Sequence, residues 1–390
     1  MQAGFLTYDL QEFTADCLSR AARVLPCRLK AYPTLELAAI DRIDFDYRPS
    51  RKKGGFFTVR RKGSTPEGFS STLNWGAAWA CARESDVVVF FGLQGATALA
   101  AAVLGTLLRR RMVSVNQTLP PYWERKRRWW VRWLKGWLLR RCRVHVLQTP
   151  LSRDTLRQVY GIDEALCVEA PFEAGAGVFQ EHLARVPQTR RELRRGFGWG
   201  DRECVFLYVG ALFRFKGVET ILEAGSLLQK KASSFRMVFI GPEHTSAGEP
   251  SIDDYRKQAQ ALGIGERTQF RPREPLAELA RVYKAADALL LPTQKDVWPK
   301  VLVEGALAGL PLVTTTACGA AGGLVIAGRT GFVIPPDDPP ALAEAMEKLL
   351  DPGVRRSLGA EAREVELALC DRRKEAQGYR EAVLKALETR

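Results

Sequence analysis

The sequence predicts an α/β protein with two domains, each built on a doubly wound parallel sheet. The chain of 390 residues is long enough for two separate hydrophobic cores. Short apolar strands alternate with amphipathic segments of helical length, which is typical of parallel βαβ units. Ligands bind such sheets at the carboxyl ends of the strands, and the basic and glycine-rich turns of this sequence fall at those ends.

The first half of the chain contains four predicted strands and two long predicted helices. Buried apolar runs place the strands at Phe5–Thr7, Ser85–Phe91, Met112–Thr118 and Val144–Gln148. Helices are predicted over residues 10–24 and 97–109, and Thr149 followed by Pro150 is suited to starting another. The segment 48–71, rich in Gly, Ser, Lys and Arg, is predicted to be a mobile loop or a hairpin.

The second half shows the alternation more clearly, after a Gly- and Arg-rich stretch at 172–201 that favours an interdomain connection. Its predicted strands are Cys204–Val209, Arg236–Ile240, Thr268–Phe270, Ala288–Leu291 and Leu312–Thr315. Its predicted helices are Val218–Lys230, Ile252–Leu262, Leu276–Ala286, Lys300–Ala308 and Pro340–Leu350.

Composition argues against several other classes of protein. A hydrophobic fraction of 46% and a charged fraction of 26% fit a folded globular chain. The run Ala96–Leu108 is too short to cross a bilayer and ends in three arginines, so we interpret it as a buried helix. Eight cysteines are scattered without a CxxC pair, and they indicate reduced thiols, with neither a disulfide framework nor a metal site.

Charge is concentrated in one basic, tryptophan-rich stretch. The net charge is +14, and residues 109–143 hold twelve Lys/Arg against one Asp/Glu. On a helical wheel of residues 122–143, Trp and Leu share one face and Arg and Lys gather opposite. This pattern favours docking on an anionic membrane surface. The alternatives are a helix packed on the first domain through its aromatic face, and phosphate contacts to nucleic acid, which no nucleic-acid motif supports.

The first chemical motif is the turn Gly210-Ala-Leu-Phe-Arg214-Phe-Lys216-Gly217, between a predicted strand and a predicted helix. Backbone N–H groups at the helix start, with Arg214 and Lys216 beside them, are suited to a diphosphate. The alternative is a solvated loop with two ordinary surface charges.

The second motif, Leu291-Pro-Thr293-Gln-Lys-Asp296-Val-Trp-Pro-Lys300-Val301-Leu-Val-Glu304, places one acid on a strand-end loop and another on the following helix. Carboxylates accept hydrogen bonds from sugar hydroxyls, while the helix start favours phosphate. The alternative makes Asp296 a helix cap and Glu304 a surface residue. The third motif is the glycine-rich segment 319–331, which suggests close backbone approach to a ligand.

In this order and spacing, the three motifs resemble the donor-binding lobe of glycosyltransferase family 4. The likeness covers residues 144–390 and is strongest over 204–335, in VGALFRFKG, FIGPE, LPTQKDVWPKVLVEGALAGLPLV and GRTGFVIP. The resemblance implies the GT-B fold, two Rossmann-like doubly wound domains facing a central cleft. It implies an N-terminal acceptor domain (1–185), a C-terminal nucleotide-sugar domain (186–370) and a last helix (371–390) that crosses back to the first domain.

The resemblance also implies roles for individual residues. Glu304 would bind the donor ribose, Asp296 the hydroxyls of the transferred sugar, and Lys216 the diphosphate. The donor-binding set is Gly210, Arg214, Lys216, Thr293, Lys300, Val301 and Glu304, with Asp296, Lys216 and Arg214 as the catalytic candidates. Asn116, Gln117 and Gln94 are the candidates on the acceptor or sugar side. No metal and no cofactor is expected besides a UDP- or GDP-linked sugar.

The sequence departs from the family pattern in the phosphate loop and in the first domain. Ala211 stands where the family usually has arginine, and we infer that Arg214 substitutes for it. The family's N-terminal glycine-rich loop is not recognisable, and the strand at 112–118 leads into Asn116 and Gln117 where the family often has histidine. Of the three histidines, His145 lies in an apolar strand, so a histidine base is not expected.

We therefore predict a retaining glycosyltransferase that moves a sugar from a nucleotide sugar to a glycolipid, lipid-linked or polysaccharide acceptor. It would be cytoplasmic and peripheral at the inner face of the membrane, bound through residues 122–143, without nucleic acid. Two alternatives remain open at the level of sequence: a nucleotide-sugar epimerase on the same fold, and a non-catalytic scaffold.

Overall fold

The protein folds into two compact units, Met1–Phe172 together with Asp371–Arg390, and Glu173–Cys370. The structure is a computed structural model that describes residues 1–7, 19–25, 27–33, 46–47, 56–59, 71–93, 95–116, 121–172, 175–231, 234–242, 249–369 and 372–388. Each unit contains its own parallel sheet with helices packed on it, as the sequence predicted.

The first unit is built on a seven-stranded parallel sheet in the order β3-β2-β1-β6-β7-β8-β9. Its strands are β1 (Gln2–Thr7), β2 (Arg28–Pro33), β3 (Asp46–Tyr47), β6 (Val87–Phe91), β7 (Arg111–Asn116), β8 (Val144–Leu147) and β9 (Cys167–Glu169). A separate antiparallel pair is formed by β4 (Phe56–Val59) and β5 (Ser71–Asn74), in the segment for which a loop or hairpin was predicted.

Helices cover the seven-stranded sheet because its strands are apolar on both faces. They are α1 (19–24), α2 (Trp75–Glu84), α3 (Ala96–Leu107), α4 (Pro121–Arg125), α5 (Trp129–Leu139), α6 (Pro150–Tyr160) and α15 (Arg372–Glu388). One face packs on α2, α3, α5 and α6 through buried residues such as Val88, Phe90 and Leu138. The other face packs on α1 and α15 through Phe5, Val89 and Tyr379.

The last helix, α15, belongs to the first unit although it follows the whole second unit in sequence. Tyr379 is buried and its ring meets that of Phe5 edge-on at a centroid distance of 6.0 Å. Gln148 Nε2 donates a 2.9 Å hydrogen bond to Tyr379 Oη, so a polar contact also joins α15 to the end of β8.

The second unit is built on a six-stranded parallel sheet in the order β12-β11-β10-β13-β14-β15. Its strands are β10 (Cys204–Val209), β11 (Phe235–Ile240), β12 (Thr268–Arg271), β13 (Ala288–Leu291), β14 (Leu312–Thr315) and β15 (Gly331–Ile334). Its helices are α7 (Ala176–Ala184), α8 (Arg190–Phe197), α9 (Val218–Leu228), α10 (Ile252–Ala261), α11 (Leu276–Ala285), α12 (Lys300–Leu307), α13 (Pro339–Lys348) and α14 (Pro352–Leu369).

The predicted interdomain connection at 172–201 is wrong, because this stretch contains α7 and α8. Both helices pack on α11 of the second unit, and Phe179 of α7 meets Tyr283 of α11 edge-on. The second unit therefore begins at Glu173, before the expected boundary at residue 185. The Gly and Arg content of this stretch made α8 hard to predict. α8 begins with a capping box between Thr189 and Glu192, and it contains the buried Arg194.

We expect Tyr379→Phe to lower the free energy of unfolding of the first unit by about 1–3 kcal/mol, because Gln148 Nε2 would stay buried without this acceptor. Urea denaturation followed by fluorescence measures the change. The control is Tyr379→Phe combined with Gln148→Met, which removes both polar partners and should recover most of the loss. A double variant no more stable than Tyr379→Phe would contradict this assignment.

Candidate functional site

Three loops meet at the carboxyl ends of the central strands of the second sheet. The loop after β10 carries Lys216, the loop after β13 carries Asp296, and the segment after β14 carries Gly319. β10 and β13 are paired neighbours although 78 residues separate the end of one from the start of the other in sequence, and β14 pairs with β13. The motifs that the sequence singled out are thus brought together by the strand order.

Lys216 and Asp296 form an ion pair at the middle of this site. Lys216 Nζ donates to Asp296 Oδ2 at 2.5 Å, and the two side chains are 20% and 15% exposed. Asp296 Oδ1 has no donor among the described residues. The Lys216 ammonium also lies 5.3 Å from the centre of the Phe215 ring, which covers one side of it. The pair therefore leaves one carboxylate oxygen available to a ligand hydroxyl.

The two loops are held in register by backbone contacts. Phe215 O accepts hydrogen bonds from Gln294 N at 2.7 Å and from Thr293 Oγ1 at 3.1 Å. Gly217 has a φ of +84°, and a Cβ at this position would lie 2.3 Å from Pro292 O. Only glycine permits both the left-handed backbone and this close approach. The side chain of Thr293 thus holds the two loops together.

The glycine-rich segment joins the same arrangement from the side of β14. Gly319 N donates to Asp296 O at 2.8 Å, and Asp296 and Cys318 form an isolated parallel bridge. A Cβ on Gly319 would lie 1.7 Å from Val297 O. Because Gly319 has no side chain, the two loops can pack closely. The hydrogen bond from Gly319 N then fixes the backbone of Asp296.

Glu304 lies one turn into α12, and its carboxylate is oriented by Tyr283 of α11. Tyr283 Oη donates to Glu304 Oε2 at 2.8 Å, and Glu304 Oε1 has no donor among the described residues. Burial raises the pKa of Glu304, while the hydrogen bond from Tyr283 and the charge of Lys300 oppose the shift. Sequence analysis missed Tyr283, because a buried tyrosine on a helix gives no signal that separates it from ordinary core residues.

Two helices begin at the site without a side-chain cap. Gly217 precedes α9 and Pro299 precedes α12. Neither residue has a side-chain oxygen that could accept a hydrogen bond from a first-turn N–H group. The first N–H groups of an α-helix have no acceptor within the helix, so they are available to an anion. Lys300 and Val301 occupy the first turn of α12, beside Asp296 in sequence.

Arg214 and Gly210 occupy the loop after β10 in different ways. Arg214 is 57% exposed on its side chain and forms its described ion pair with Glu219, at 3.8 Å. The structure thus places the Arg214 side chain at the rim of the loop, paired with Glu219. Gly210 follows β10, and a Cβ on Gly241 would lie only 1.8 Å from Gly210 O.

The candidates on the acceptor side lie in the first unit. Gln94 and Gln117 are outside the described residues. Asn116 ends β7 and is buried, and its Nδ2 donates to Ser114 Oγ at 2.9 Å, Ser114 O at 3.1 Å and Val146 O at 3.3 Å. Its amide nitrogen is therefore committed to the sheet. His145 beside it is buried and its pKa is lowered to about 4 by desolvation, which keeps the imidazole neutral.

The basic tryptophan stretch forms α4 and α5 in the first unit. Trp129, Trp130 and Trp133 are 73%, 46% and 61% exposed. Leu134 and Trp137 pack against the core, where Leu138 is fully buried, so the apolar face predicted from the helical wheel is divided between core and solvent.

A buried ion cluster fixes this helix to the unit. Glu124 of α4 is fully buried, and its Oε2 accepts from Tyr160 Oη at 2.7 Å, Arg127 Nε at 2.9 Å and Lys135 Nζ at 3.3 Å. Desolvation acts to raise the pKa of Glu124, but the charges of Lys135 and Arg127 outweigh it and lower the pKa. Lys135 is therefore a structural residue, although the sequence had placed it on the outer basic face.

Neighbouring helices of the same layer also expose large apolar side chains. α3 packs on both α2 and α5. On α2, Trp75 and Trp79 are 49% and 43% exposed, and Leu107 at the end of α3 is 72% exposed. Arg109 and Arg110 follow Leu107 in sequence and add positive charge to this end of α3.

Among the described residues, no group of three or more His, Cys, Asp or Glu side chains could hold a metal ion. No helix in the described part of the chain has the length and apolarity needed to cross a bilayer.

We expect Gly217→Ala to destabilise the second unit by more than about 1 kcal/mol, because the new methyl group meets Pro292 O in addition to the left-handed φ. Gly328→Ala is the matched control, since Gly328 has a φ of +75° with no atom within 4 Å of the new Cβ. Equal losses in the two variants, measured by urea denaturation, would show that the close approach to Pro292 contributes nothing.

The sequence of the second unit is similar to a known protein family. Residues 189–365 match the family model described as "Glycosyl transferases group 1". A D-inositol 3-phosphate glycosyltransferase of Corynebacterium diphtheriae is 30% identical over 224 residues, which cover 56% of this chain and 51% of that protein. The chain thus spans about half the length of the curated relatives it matches.

Solved structures match over nearly the whole chain. HepE of Anabaena in complex with UDP-glucose is 17% identical with a TM-score of 0.70, covering 98% of this chain and 99% of that one. A glycosyltransferase of Rickettsia africae is 14% identical with a TM-score of 0.70, covering 100% and 99%. These likenesses show the predicted GT-B fold.

The resemblance inferred from the motifs is confirmed at the level of the broader family, whereas the narrower assignment to family 4 stays a prediction. Residues 189–365, which contain the paired Lys216 and Asp296 and the partly buried Glu304, are similar to the glycosyl transferases group 1 family.

Proposed function

We propose that the second unit binds a nucleotide sugar and that the protein transfers the sugar to an acceptor hydroxyl group. One observation carries the proposal: the Lys216–Asp296 pair lies between loops that lead into two uncapped helix starts, with Glu304 on the second helix. This arrangement offers a cation and first-turn N–H groups for a diphosphate, and carboxylate oxygens for hydroxyl groups on either side of it.

Each residue then has a distinct role. Glu304 accepts from the ribose hydroxyls through the oxygen that Tyr283 leaves free. Lys216 and the first-turn N–H groups at Lys300 and Val301 hold the diphosphate, and Asp296 accepts from a hydroxyl of the transferred sugar. When the donor binds, Lys216 exchanges part of its contact with Asp296 for a phosphate oxygen. HepE, whose structure was solved with UDP-glucose, supports a UDP-linked donor, and a GDP-linked donor is the other case to be tested.

Retention of configuration at the sugar follows when the acceptor attacks the face of C1 from which the diphosphate leaves, with no protein side chain as nucleophile or base. The bond from C1 to the diphosphate breaks, and the acceptor oxygen forms its bond to C1 on the same face. The acceptor proton passes to the departing phosphate oxygen. Lys216 and the helix starts stabilise the negative charge that develops on the leaving diphosphate. Arg214, exposed at the rim of the loop, is the further cation for that charge.

Nucleotide release from UDP-, GDP- and dTDP-sugars, with and without a bacterial lipid extract, tests the activity. We expect Lys216→Ala to lower kcat about 100- to 1,000-fold, as loss of one donor to a developing anion does. Glu304→Ala should raise the donor KM roughly 10- to 100-fold, because a charge-assisted hydrogen bond is lost. Unchanged turnover in Lys216→Ala would remove it from the mechanism.

Product analysis separates the alternatives in the same experiment. An α-linked donor should give an α-linked product if the reaction retains configuration, and a β-linked product would reject that mechanism. An epimerised sugar formed without acceptor would indicate an epimerase. Absence of release, together with absence of thermal stabilisation by UDP and GDP, would indicate a scaffold.

We expect donor binding to weaken as the pH falls towards the raised pKa of Glu304, since the protonated carboxyl accepts hydrogen bonds poorly. Binding is strong above that pKa, and its loss begins at a higher pH than for an ordinary carboxyl. Titration of UDP affinity against pH measures the effect. Glu304→Gln should bind weakly at every pH without the transition, whereas the exposed Glu223→Gln should keep it. A transition that persists in Glu304→Gln would assign it to another group.

We also propose that the first unit docks on an anionic membrane surface, and that the acceptor is a glycolipid or lipid-linked saccharide. Three tryptophans of α5 extend into solvent beside arginines, and Arg128 lies 5.7 Å from the centre of the Trp130 ring. Indole rings insert at the lipid interface while guanidinium groups meet anionic head groups. Because the buried Glu124 cluster fixes α5 to the unit, these rings are presented on a rigid helix.

Flotation with vesicles of phosphatidylglycerol and phosphatidylcholine tests the docking. We expect replacement of Trp129, Trp130 and Trp133 by Ser to lower the bound fraction at least tenfold at low salt, with little loss of stability because these residues are exposed. Replacing Trp75 and Trp79 measures the contribution of α2. Equal binding of the wild type to neutral vesicles, or undiminished binding of the triple variant, would contradict the proposal.

A further inference from the structure

The second unit contains a cavity of about 520 Å³ at the opposite end of its sheet from the donor site. It is lined by segments that lie at the amino ends of β10, β13 and β14 and by the starts of α8 and α14. The charged residues among its lining are Arg190, Arg194, Asp201, Arg202, Glu203, Asp287, Arg355 and Arg356. The proposed transfer reaction uses none of these residues.

The floor of the cavity is a buried network around Asp287. Its Oδ1 accepts from Arg190 Nη2 at 2.6 Å and lies 3.1 Å from Arg355 Nε. Its Oδ2 accepts from Val205 N at 2.8 Å and from Arg194 Nη2. Three guanidinium groups thus share one carboxylate.

Arg194 holds the floor rigid. It is 3% exposed, and its other N–H groups donate to Ala285 O and to three carbonyl oxygens of the turn before β10, at Gly200, Asp201 and Glu203. The turn, α8 and the start of β13 are therefore positioned by a single side chain. This rigidity pre-organises the cavity wall.

The remaining acids of the lining are neutralised from outside the cavity. Glu203 receives two hydrogen bonds from Arg236, both at 3.0 Å, and Asp201 pairs with Arg191 at 3.2 Å. With these two arginines counted, and with Asp351, whose charge acts on Arg355 and Arg356, seven guanidinium groups face four carboxylates, which leaves a local excess of three positive charges.

Two of the arginines are uncommitted. Arg202 and Arg356 lie exposed at the cavity, and their side chains make no hydrogen bond or ion pair with the described residues. Two free guanidinium groups at a cavity whose wall already carries excess positive charge favour an anion of several charges. Guanidinium forks match phosphate oxygens in a bidentate geometry.

We propose that this cavity binds a small anion with two or three phosphate groups, held by Arg202 and Arg356 with the partly exposed Arg190 beside them. The ligand joins α8, the turn at 200–203 and α14, so its binding stabilises the second unit. The site is distinct from the donor site, and the proposal does not depend on transferase activity.

Calorimetric titration with inorganic tripolyphosphate at about 150 mM salt, where diffuse attraction is screened, tests the proposal. We expect one site per chain in the wild type, and a rise in its thermal midpoint. The double variant Arg202→Ala with Arg356→Ala should bind at least tenfold more weakly. The matched control is Arg195→Ala with Arg363→Ala, which removes two exposed charges from α8 and α14 outside the cavity. It should stay within about twofold of the wild type.

Lys216→Ala separates this cavity from the donor site, where Lys216 is a second cation that a phosphate group contacts if it displaces Asp296. We expect Lys216→Ala to leave the affinity unchanged. If Lys216→Ala abolishes binding while the arginine double variant keeps it, the anion occupies the donor site and the proposal is overturned. An equal loss in the matched control, or no binding by the wild type, overturns it as well.

Discussion

The site in the second unit depends on how closely the loop after β10 approaches the end of β13. Gly217 packs on Pro292 O at a distance that no side chain permits, and Phe215 O accepts from Gln294 N and Thr293 Oγ1. These contacts set the positions of Lys216 and Asp296 before any ligand arrives. Because the two residues are 80 positions apart in sequence, neither loop alone forms the site. The close approach of the two loops brings the separate motifs together, so that their charged side chains form one site.

The same unit divides its polar residues between two ends of one sheet. At the carboxyl ends, side chains such as Lys216 and Asp296 are partly exposed and incompletely satisfied. At the amino ends, Asp287 and Arg194 are buried and hydrogen-bonded on nearly every polar atom. Buried charges persist only when they are paired in this way, so the network at the amino ends holds helices to the sheet. The carboxyl ends are left open to ligands, and at the amino ends only exposed arginines such as Arg202 and Arg356 are.

Much of the second unit could be predicted from sequence because its strands are apolar and its turns contain glycine. The bounds of β10, β13 and β14 were predicted to the residue. α8 was missed because charged residues dominate it and its burial depends on Arg194, whose partners are backbone carbonyls distant in sequence. Tyr283 was missed for a related reason, since the residue it orients, Glu304, lies on another helix.

In the first unit the helical wheel of 122–143 predicted an amphipathic helix and assigned Lys135 to the wrong environment. A wheel sorts side chains by angle alone, whereas the partner that keeps Lys135 buried, Glu124, lies on the preceding helix. Asn116 was chosen from its position at a strand end, and its side-chain nitrogen bonds within the sheet. Both cases show that position at an element's end or face does not specify hydrogen-bond partners.

The ion pair between Lys216 and Asp296 has a consequence for how the protein would select its ligand. An empty site with an unpaired lysine would attract any phosphate in solution, whereas here the aspartate competes for the ammonium group. A ligand that supplies only phosphate must displace the carboxylate and leave it without a partner. A ligand that also supplies hydroxyl groups returns a partner to Asp296 as it takes the lysine. The pair therefore works as an internal competitor, which disfavours inorganic phosphate and favours molecules that carry phosphate and sugar together.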